Sequence, residues 1–199
     1  MTSRFGLALL ALVIGQSLFL AAMIQDRVTL LRSDRVVTLK TEPIDPRDIF
    51  RGDYVILNYE ISRLSLDTLE GDDGFAQGDT IYVELTPAGA IWQPVAAWRE
   101  RRNPSPGNEI IRGRVSWVIE GRPVTAPADG EEAPCIDCNS ATVAYGIESY
   151  FVPEGEGREL EDQRNAGSLT VDVALGSDGE AAIKGLRLDG EPVYEEPLF

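Results

Sequence analysis

The sequence contains no histidine, and among its 199 residues it has only two cysteines and two lysines, Lys40 and Lys184. Without histidine the chain cannot build a Ser-His-Asp or Cys-His catalytic centre, nor a histidine-ligated metal site. Two cysteines alone are too few ligands to close a tetrahedral zinc site within one chain. We therefore predict no cofactor, no metal ion and no catalytic residue of these common classes.

Basic residues are also scarce, with 18 Lys and Arg against 33 Asp and Glu and a formal net charge of −15. Such an acidic surface repels phosphate backbones, so a nucleic-acid partner is not expected. It also disfavours peripheral binding to anionic lipid. At 43% hydrophobic residues the chain has the composition of a globular protein.

Charged residues are missing altogether from residues 5–24, a run of twenty in which Gln16 and Ser17 are the only polar side chains. As a helix this run would rise about 30 Å, the thickness of a hydrocarbon core. We predict a transmembrane anchor over residues 1–24 and a helical or irregular stalk over residues 25–34. Two alternatives remain open, a cleaved signal peptide and a buried core helix. For an anchor, the short N-terminus stays inside while the acidic domain crosses the membrane.

Residues 35–190 contain seven or eight β-rich segments separated by turn signals, without long helices between them. This pattern predicts a mainly β fold, an antiparallel sandwich or barrel-like domain with one or two short helices. The Pro-containing residues 191–199 are predicted to form a loose tail.

The clearest alternation runs from Ile110 to Ile119. It predicts one face formed by Ile111, Gly113, Val115, Trp117 and Ile119. Arg112 and Arg114 fall on the other face. Two neighbouring guanidinium groups can bind an anion bidentately. The alternative is that each pairs with Asp or Glu across the sheet.

A second organising stretch spans residues 45–61, where a turn leads into a strand. On that strand Val55, Leu57, Tyr59 and Ile61 share one face, and Tyr54, Ile56, Asn58 and Glu60 share the other. The stretch contains the string Gly52-Asp53-Tyr54-X-X-Leu57-X-Tyr59. Large aromatic residues on both faces of a strand indicate core or interface anchors.

The string resembles the signature of the GDYXXLXY family, membrane-anchored bacterial proteins without an established activity. The run Tyr145-Gly-Ile-Glu-Ser-Tyr-Phe-Val-Pro-Glu-Gly155 resembles a second block of that family. The resemblance implies a location in the bacterial inner membrane, with the C-terminal domain in the periplasm or outside the cell. It also implies a polytopic membrane protein as partner, because such proteins tend to be encoded beside one.

Cys135 and Cys138 form a Cys-Ile-Asp-Cys pair in an acidic Pro- and Gly-rich segment. In an oxidising compartment the pair favours a local disulfide. Free or intermolecular thiols, and a redox or metal role, are the alternatives. The acidic neighbours disfavour a reactive thiolate.

Together these features favour a non-catalytic accessory or interaction domain. Two other functions are kept as alternatives. One is a Ser-Lys hydrolase of the signal-peptidase type, which needs no histidine but lacks the serine box of those enzymes around Ser33. The other is a sensor of a small anionic ligand, using Arg112 and Arg114.

Overall fold

The computed structural model describes residues 2–43, 54–120, 139–151 and 169–196. One α-helix precedes a series of strands and one 3₁₀ helix. In chain order they are α1 (Thr2–Leu31), β1 (Val36–Glu42), β2 (Tyr54–Ile56), β3 (Asn58–Tyr59), the 3₁₀ helix (Glu60–Ser62), β4 (Arg63–Ser65), β5 (Glu70–Gly71), β6 (Thr80–Ala88), β7 (Ile91–Trp98), β8 (Glu109–Glu120), β9 (Asn139–Ala144), β10 (Ser149–Phe151), β11 (Leu169–Leu175), β12 (Ala181–Leu188) and β13 (Glu191–Glu195).

Helix α1 exposes its apolar side chains along most of its length. From Gly6 to Leu31 the helix is long and apolar enough to cross a membrane, with a mean hydropathy of 2.4 in its most apolar stretch. None of that stretch packs against the rest of the protein. The prediction of one apolar N-terminal helix is confirmed.

The last turn of α1 is docked on the β domain. Leu30 and Leu31 are buried and form a small apolar cluster with Ala182 of β12. Just beyond the helix, the Ser33 hydroxyl donates a 2.7 Å hydrogen bond to the carbonyl of Leu175. The segment predicted as a stalk therefore continues the helix to Leu31 and then contacts the domain.

The strands form a five-stranded sheet in the order β13-β12-β11-β1-β3, a six-stranded sheet in the order β4-β9-β8-β6-β7-β5, and the pair β10-β2. Neighbouring strands run antiparallel except β5 and β7, which are parallel. Inward-facing residues from both larger sheets join one hydrophobic core. On β11 the alternation Leu169, Val171, Val173 points into that core, as the sequence indicates. The prediction of a mainly β fold is confirmed.

The C-terminal segment differs from its prediction, because residues 191–195 form strand β13 instead of a loose tail. Asp189 and Gly190 both have positive φ angles, of 50° and 87°. They form a two-residue hairpin loop that pairs Leu188 with Glu191. Pro192 suits an edge strand, where its missing N–H costs no ladder hydrogen bond.

Candidate functional site

Two of the family-like motif residues enter the core: Tyr59, in β3, and Leu57, between β2 and β3. Leu57 is 1% exposed and Tyr59 is 0% exposed. Ile61 is also buried, although it lies in the 3₁₀ helix and not on the continuous strand that was predicted. Ile56, on the opposite face, is 43% exposed. Gly52 and Asp53 lie outside the described residues, and Tyr54 is placed by its backbone, which pairs with Phe151 of β10.

Two tyrosines cross between the two family-like blocks in a reciprocal arrangement that we name the tyrosine clasp. The hydroxyl of Tyr59, in the first block, donates a 2.7 Å hydrogen bond to the carbonyl of Ile147. The hydroxyl of Tyr145, in the second block, donates a 2.8 Å hydrogen bond to the carbonyl of Ile61. Burial, and to a lesser extent the nearby Glu148 carboxylate, raises the pKa of each phenol. Both tyrosines therefore remain neutral donors over the physiological pH range.

Backbone hydrogen bonds extend the clasp. The N–H of Leu57 donates to the carbonyl of Glu148 at 2.9 Å, and β2 pairs with β10 so that Ile56 lies opposite Ser149. The Glu148 carboxylate accepts hydrogen bonds from the N–H groups of Tyr145 and Gly146, which fixes the turn before β10. The clasp is thus a structural device that positions the surfaces on either side of it.

Strand β8 carries a bulge that overturns one prediction. Val115 pairs with Val143, but Trp117 pairs with Thr142, so Ser116 is the extra residue. An extra residue reverses the side-chain alternation beyond it. Trp117 and Ile119 therefore point outward, with exposed fractions of 59% and 41%, and were wrongly predicted to share a face with Val115.

After the bulge, Trp117 and Ile119 lie on the same side of the sheet as Arg112 and Arg114. We call these four residues the outer face. A surface with an aromatic residue, an aliphatic residue and arginines has the composition that is enriched in protein interfaces. The sequence missed this juxtaposition because uninterrupted alternation of apolar and polar residues gives no sign of an extra residue.

The arginine end of the outer face borders an open cleft of about 510 Å³. Arg112 forms an ion pair with Asp178 at 2.7 Å, and its backbone N–H donates to the carbonyl of Gly179. The exposed Arg114 guanidinium donates a 3.2 Å hydrogen bond to the carbonyl of Gly78. Glu148 lines the same cleft, which places a negative group among the cations. The pairing of Arg112 with an acidic residue is the alternative that the sequence left open.

The floor of that cleft explains why position 113 is glycine. A Cβ atom built on Gly113 would lie 2.3 Å from Cγ1 of Val143 and 3.0 Å from the ring of Tyr145. The clasp tyrosine therefore packs directly against the β8 backbone. Through this contact the buried clasp supports the strand that carries the outer face.

The two lysines are placed differently. The Lys40 ammonium lies 2.5 Å from a Glu60 carboxylate oxygen, and that hydrogen bond and charge raise the pKa of Lys40. A lysine that acts as a general base needs a lowered pKa. The raised pKa of Lys40 therefore disfavours that role. Lys184 lines a cleft of about 290 Å³ beside Asp172 and Arg187, which are themselves ion-paired. Ser33 donates its hydroxyl to the Leu175 carbonyl and is not oriented by a lysine.

Glu84 is the buried carboxylate of the described part of the chain. It accepts hydrogen bonds from the backbone N–H of Ser105 and the side-chain amide of Asn108, at 2.9 and 2.8 Å. Burial raises its pKa, but these hydrogen bonds outweigh that effect and the pKa is lowered. Glu84 therefore holds a loop and stays ionised. Within residues 2–43, 54–120, 139–151 and 169–196, no three acidic or cysteine side chains are grouped to hold a metal ion. Cys135 and Cys138 fall outside these ranges.

Comparison with known proteins gives one match. The family model described as GDYXXLXY protein matches residues 16–186, which include the second half of α1, both clasp tyrosines and the outer face. No curated protein and no solved structure matches the chain. Since the match covers most of the sequence, the chain belongs to the GDYXXLXY family.

Proposed function

We propose that this protein is a single-pass membrane protein whose β domain lies outside the cytoplasm and binds a polytopic membrane partner without catalysing a reaction. The observation that carries the proposal is the exposed apolar helix α1 joined directly to a docked β domain. A helix of this composition is unstable in water unless lipid or protein covers it. Docking of Leu30 and Leu31 then holds the domain close to the bilayer.

The outer face is the proposed contact surface of the β domain. Trp117 is the most exposed large apolar side chain outside α1, at 59%, in the described part of the domain. Tryptophan and arginine are the residues that most often dominate binding energy at interfaces. Neither Trp117 nor Ile119 belongs to the core, so packing of the core does not explain why large apolar residues stand at these positions.

Photo-crosslinking tests this proposal. A benzophenone amino acid is introduced at Trp117 in the full-length protein, and cells are irradiated before the membranes are isolated. We expect crosslinks to an integral membrane protein. The matched control is the same substitution at Gln93, an exposed position on β7. Equal crosslinking at both positions, or crosslinks only to soluble proteins, would contradict the proposal.

Membrane insertion and orientation are tested separately. We expect the protein to remain in the pellet after alkaline carbonate extraction. A membrane-impermeant thiol reagent should label a single cysteine placed at Gln93, in a variant without native cysteines, in intact spheroplasts. Labelling only after lysis would place the domain in the cytoplasm and reject the orientation.

A sensor of a small anionic ligand is the second candidate, favoured by the cleft beside Arg112 and Arg114. Arg114 uses one hydrogen bond within the described residues, so further guanidinium N–H groups can serve a ligand. The ion pair of Arg112 and the carboxylate of Glu148 oppose it. Phosphate, sulfate and carboxylates are screened by thermal shift. If this candidate is right, at least one of these anions should raise the melting temperature of the native protein and leave that of Arg114→Gln unchanged. No shift with any anion rejects this candidate.

The hydrolase alternative has little support from side-chain geometry, because Lys40 is committed to Glu60 and Ser33 to a backbone carbonyl. Changing both Lys40 and Lys184 to Gln tests it directly. We expect unchanged growth and membrane-protein processing in cells that depend on the protein. Loss of a proteolytic product in that variant would support the hydrolase instead.

A further inference from the structure

A cleft lies where α1 meets the β domain, and we call it the junction cleft. It encloses about 550 Å³ between the last turns of α1 and the turn that joins β11 to β12. Its charged lining comprises Asp26, Arg32, Asp34, Arg35, Asp178 and Glu180. The cleft is distinct from the outer face, although the Arg112–Asp178 ion pair connects the two regions.

The depth of the cleft relative to a bilayer follows from helix geometry. The uncharged run of α1 ends at Ile24. With a rise of 1.5 Å per residue, Asp26 lies about 3 Å and Arg32 about 12 Å beyond that end. The polar headgroup layer adds about 5–7 Å on each side of the hydrocarbon core. With α1 inserted as proposed above, the junction cleft therefore extends from the headgroup layer, at Asp26, to just outside it, at Arg32. The long arginine side chain can reach back from there to the headgroups.

The charges lining the cleft divide into committed and available groups. Arg35 is held by Glu109 and by the carbonyl of Gly176, and Asp178 is held by Arg112. Arg32 and Glu180 have no ionic partner among the described residues, and the same applies to Asp26 and Asp34. One guanidinium group and several carboxylates are thus presented to the same opening.

We propose that the junction cleft binds the headgroup of a zwitterionic amine phospholipid, with Arg32 on the phosphate and Glu180 on the ammonium group. This inference rests on the membrane insertion proposed above. A guanidinium group donates two parallel hydrogen bonds to phosphate oxygens. A primary ammonium group has three N–H donors for carboxylates. The quaternary ammonium of a choline lipid has none, and a headgroup without an amine leaves the carboxylates unpaired.

The acidic character of the protein strengthens the choice of a zwitterionic ligand. With a net charge of −15 the domain repels an anionic headgroup that carries no balancing cation. An ethanolamine headgroup is neutral overall, so it avoids this cost while using both signs of charge in the cleft. Its selection over glycerol and choline headgroups is the specific claim.

Native mass spectrometry of the full-length protein tests the claim. The protein is purified in detergent micelles containing equal amounts of phosphatidylethanolamine, phosphatidylglycerol and phosphatidylcholine with identical acyl chains. We expect retention of phosphatidylethanolamine above the other two lipids. Arg32→Gln and Glu180→Gln should each lower that retention about tenfold, which is the loss of one charge-assisted interaction of about 1.4 kcal/mol.

Controls separate headgroup binding from general lipid adhesion. Arg63→Gln removes an exposed arginine on β4, at the edge of the six-stranded sheet, and should retain phosphatidylethanolamine like the native protein. Equal retention of the three lipids, a preference for phosphatidylglycerol, or unchanged retention in both cleft variants would overturn the inference. Carbonate extraction of the same protein distinguishes failure of the headgroup inference from failure of the proposed membrane insertion. A protein that stays in the membrane pellet but shows no lipid preference contradicts the headgroup inference alone.

Discussion

The tyrosine clasp packs against strand β8, which carries the outer face, yet the two regions use aromatic residues in opposite ways. Tyr59 and Tyr145 are buried, neutral and hydrogen-bonded to each other's segments. Trp117 and Arg114 are exposed, and neither belongs to the core. The motif residues whose side chains are described, Leu57 and Tyr59, therefore support the fold, whereas the exposed groups of the outer face lie outside the motif.

The described part of the family motif is thus explained by packing and hydrogen bonding within the domain. The motif tyrosine joins two segments that are 88 residues apart in the chain. Its substitution should damage stability before it damages recognition. Residues of the outer face should show the reverse.

The largest expected effect comes from Leu57→Ala in the clasp region. Leu57 is 1% exposed, so its truncation leaves a cavity and should lower the free energy of unfolding by about 2–5 kcal/mol. Urea unfolding of the full-length protein in detergent micelles, followed by circular dichroism, measures this change. Ile119→Ala on the outer face is the matched control and should cost less than about 1 kcal/mol. Equal losses would remove the distinction between the two regions.

Gly113→Ala tests the contact that joins the two regions. The new methyl group would meet Val143 and the Tyr145 ring, and overpacking of this kind costs about 1–3 kcal/mol. Gly74→Ala is a suitable control, because its nearest neighbour is the end of the Arg99 side chain at 3.3 Å. We expect a stability loss and weaker Trp117 crosslinking for Gly113→Ala only. If the variant is as stable as the native protein, the ring does not support β8.

The clasp should also give the protein a distinctive response to high pH. A free tyrosine ionises near pH 10, whereas burial raises the pKa of Tyr59 and Tyr145 in the folded protein. Above about pH 10 the unfolded chain therefore loses protons that the folded chain retains. Stability is complete below that pH and falls as the pH rises, by up to about 1.4 kcal/mol per pH unit for each tyrosine.

Unfolding midpoints measured between pH 8 and 11 test this response. The double variant Tyr59→Phe, Tyr145→Phe should show a shallower decline with pH, although it starts from a lower stability at neutral pH. Leu64→Ala, which removes buried carbon atoms but no ionisable group, should be destabilised at every pH and keep the native slope. Identical slopes for all three proteins would show that the clasp phenols ionise without unfolding.

The smallest effect on stability is expected from Trp117→Ala. Because the side chain is 59% exposed, its removal should change the free energy of unfolding by less than about 0.5 kcal/mol. The photo-crosslinking assay is repeated with the reactive amino acid at Ile119, once with the native Trp117 and once with Trp117→Ala. We expect the Trp117→Ala protein to capture less of the membrane partner. A destabilised variant with undiminished capture would assign Trp117 to the fold and not to recognition.

Local sequence patterns predicted the apolar helix, the mainly β domain and the inward face of Leu57, Tyr59 and Ile61. These features depend on periodicity, which a single segment contains. The bulge at Ser116 was not predictable in this way, because residue pairing with β9 decides it and the alternation continues unbroken. The Asp189-Gly190 dipeptide is a hairpin signal in the sequence. The prediction took it as the end of the last strand, whereas it connects β12 to β13.

The candidate site was less accessible to prediction than the fold. Arg112 and Arg114 lie on one strand, but Asp178, which pairs with Arg112, and Glu148, which lines the same cleft, come from distant segments. The tyrosine clasp likewise depends on contacts between segments far apart in the chain. Long-range juxtapositions of this kind require the topology, which one sequence without relatives does not encode in any local pattern.

The docked end of α1 has a mechanical consequence. Hydrophobic thickness determines how far a spanning helix leans, since a long apolar stretch tilts in a thin bilayer. Because Leu30 and Leu31 are packed on Ala182, a change in the tilt of α1 in the proposed membrane would rotate the whole β domain with it. A local change in bilayer thickness would then change the distance of Trp117 from the bilayer surface and its orientation toward the proposed membrane partner.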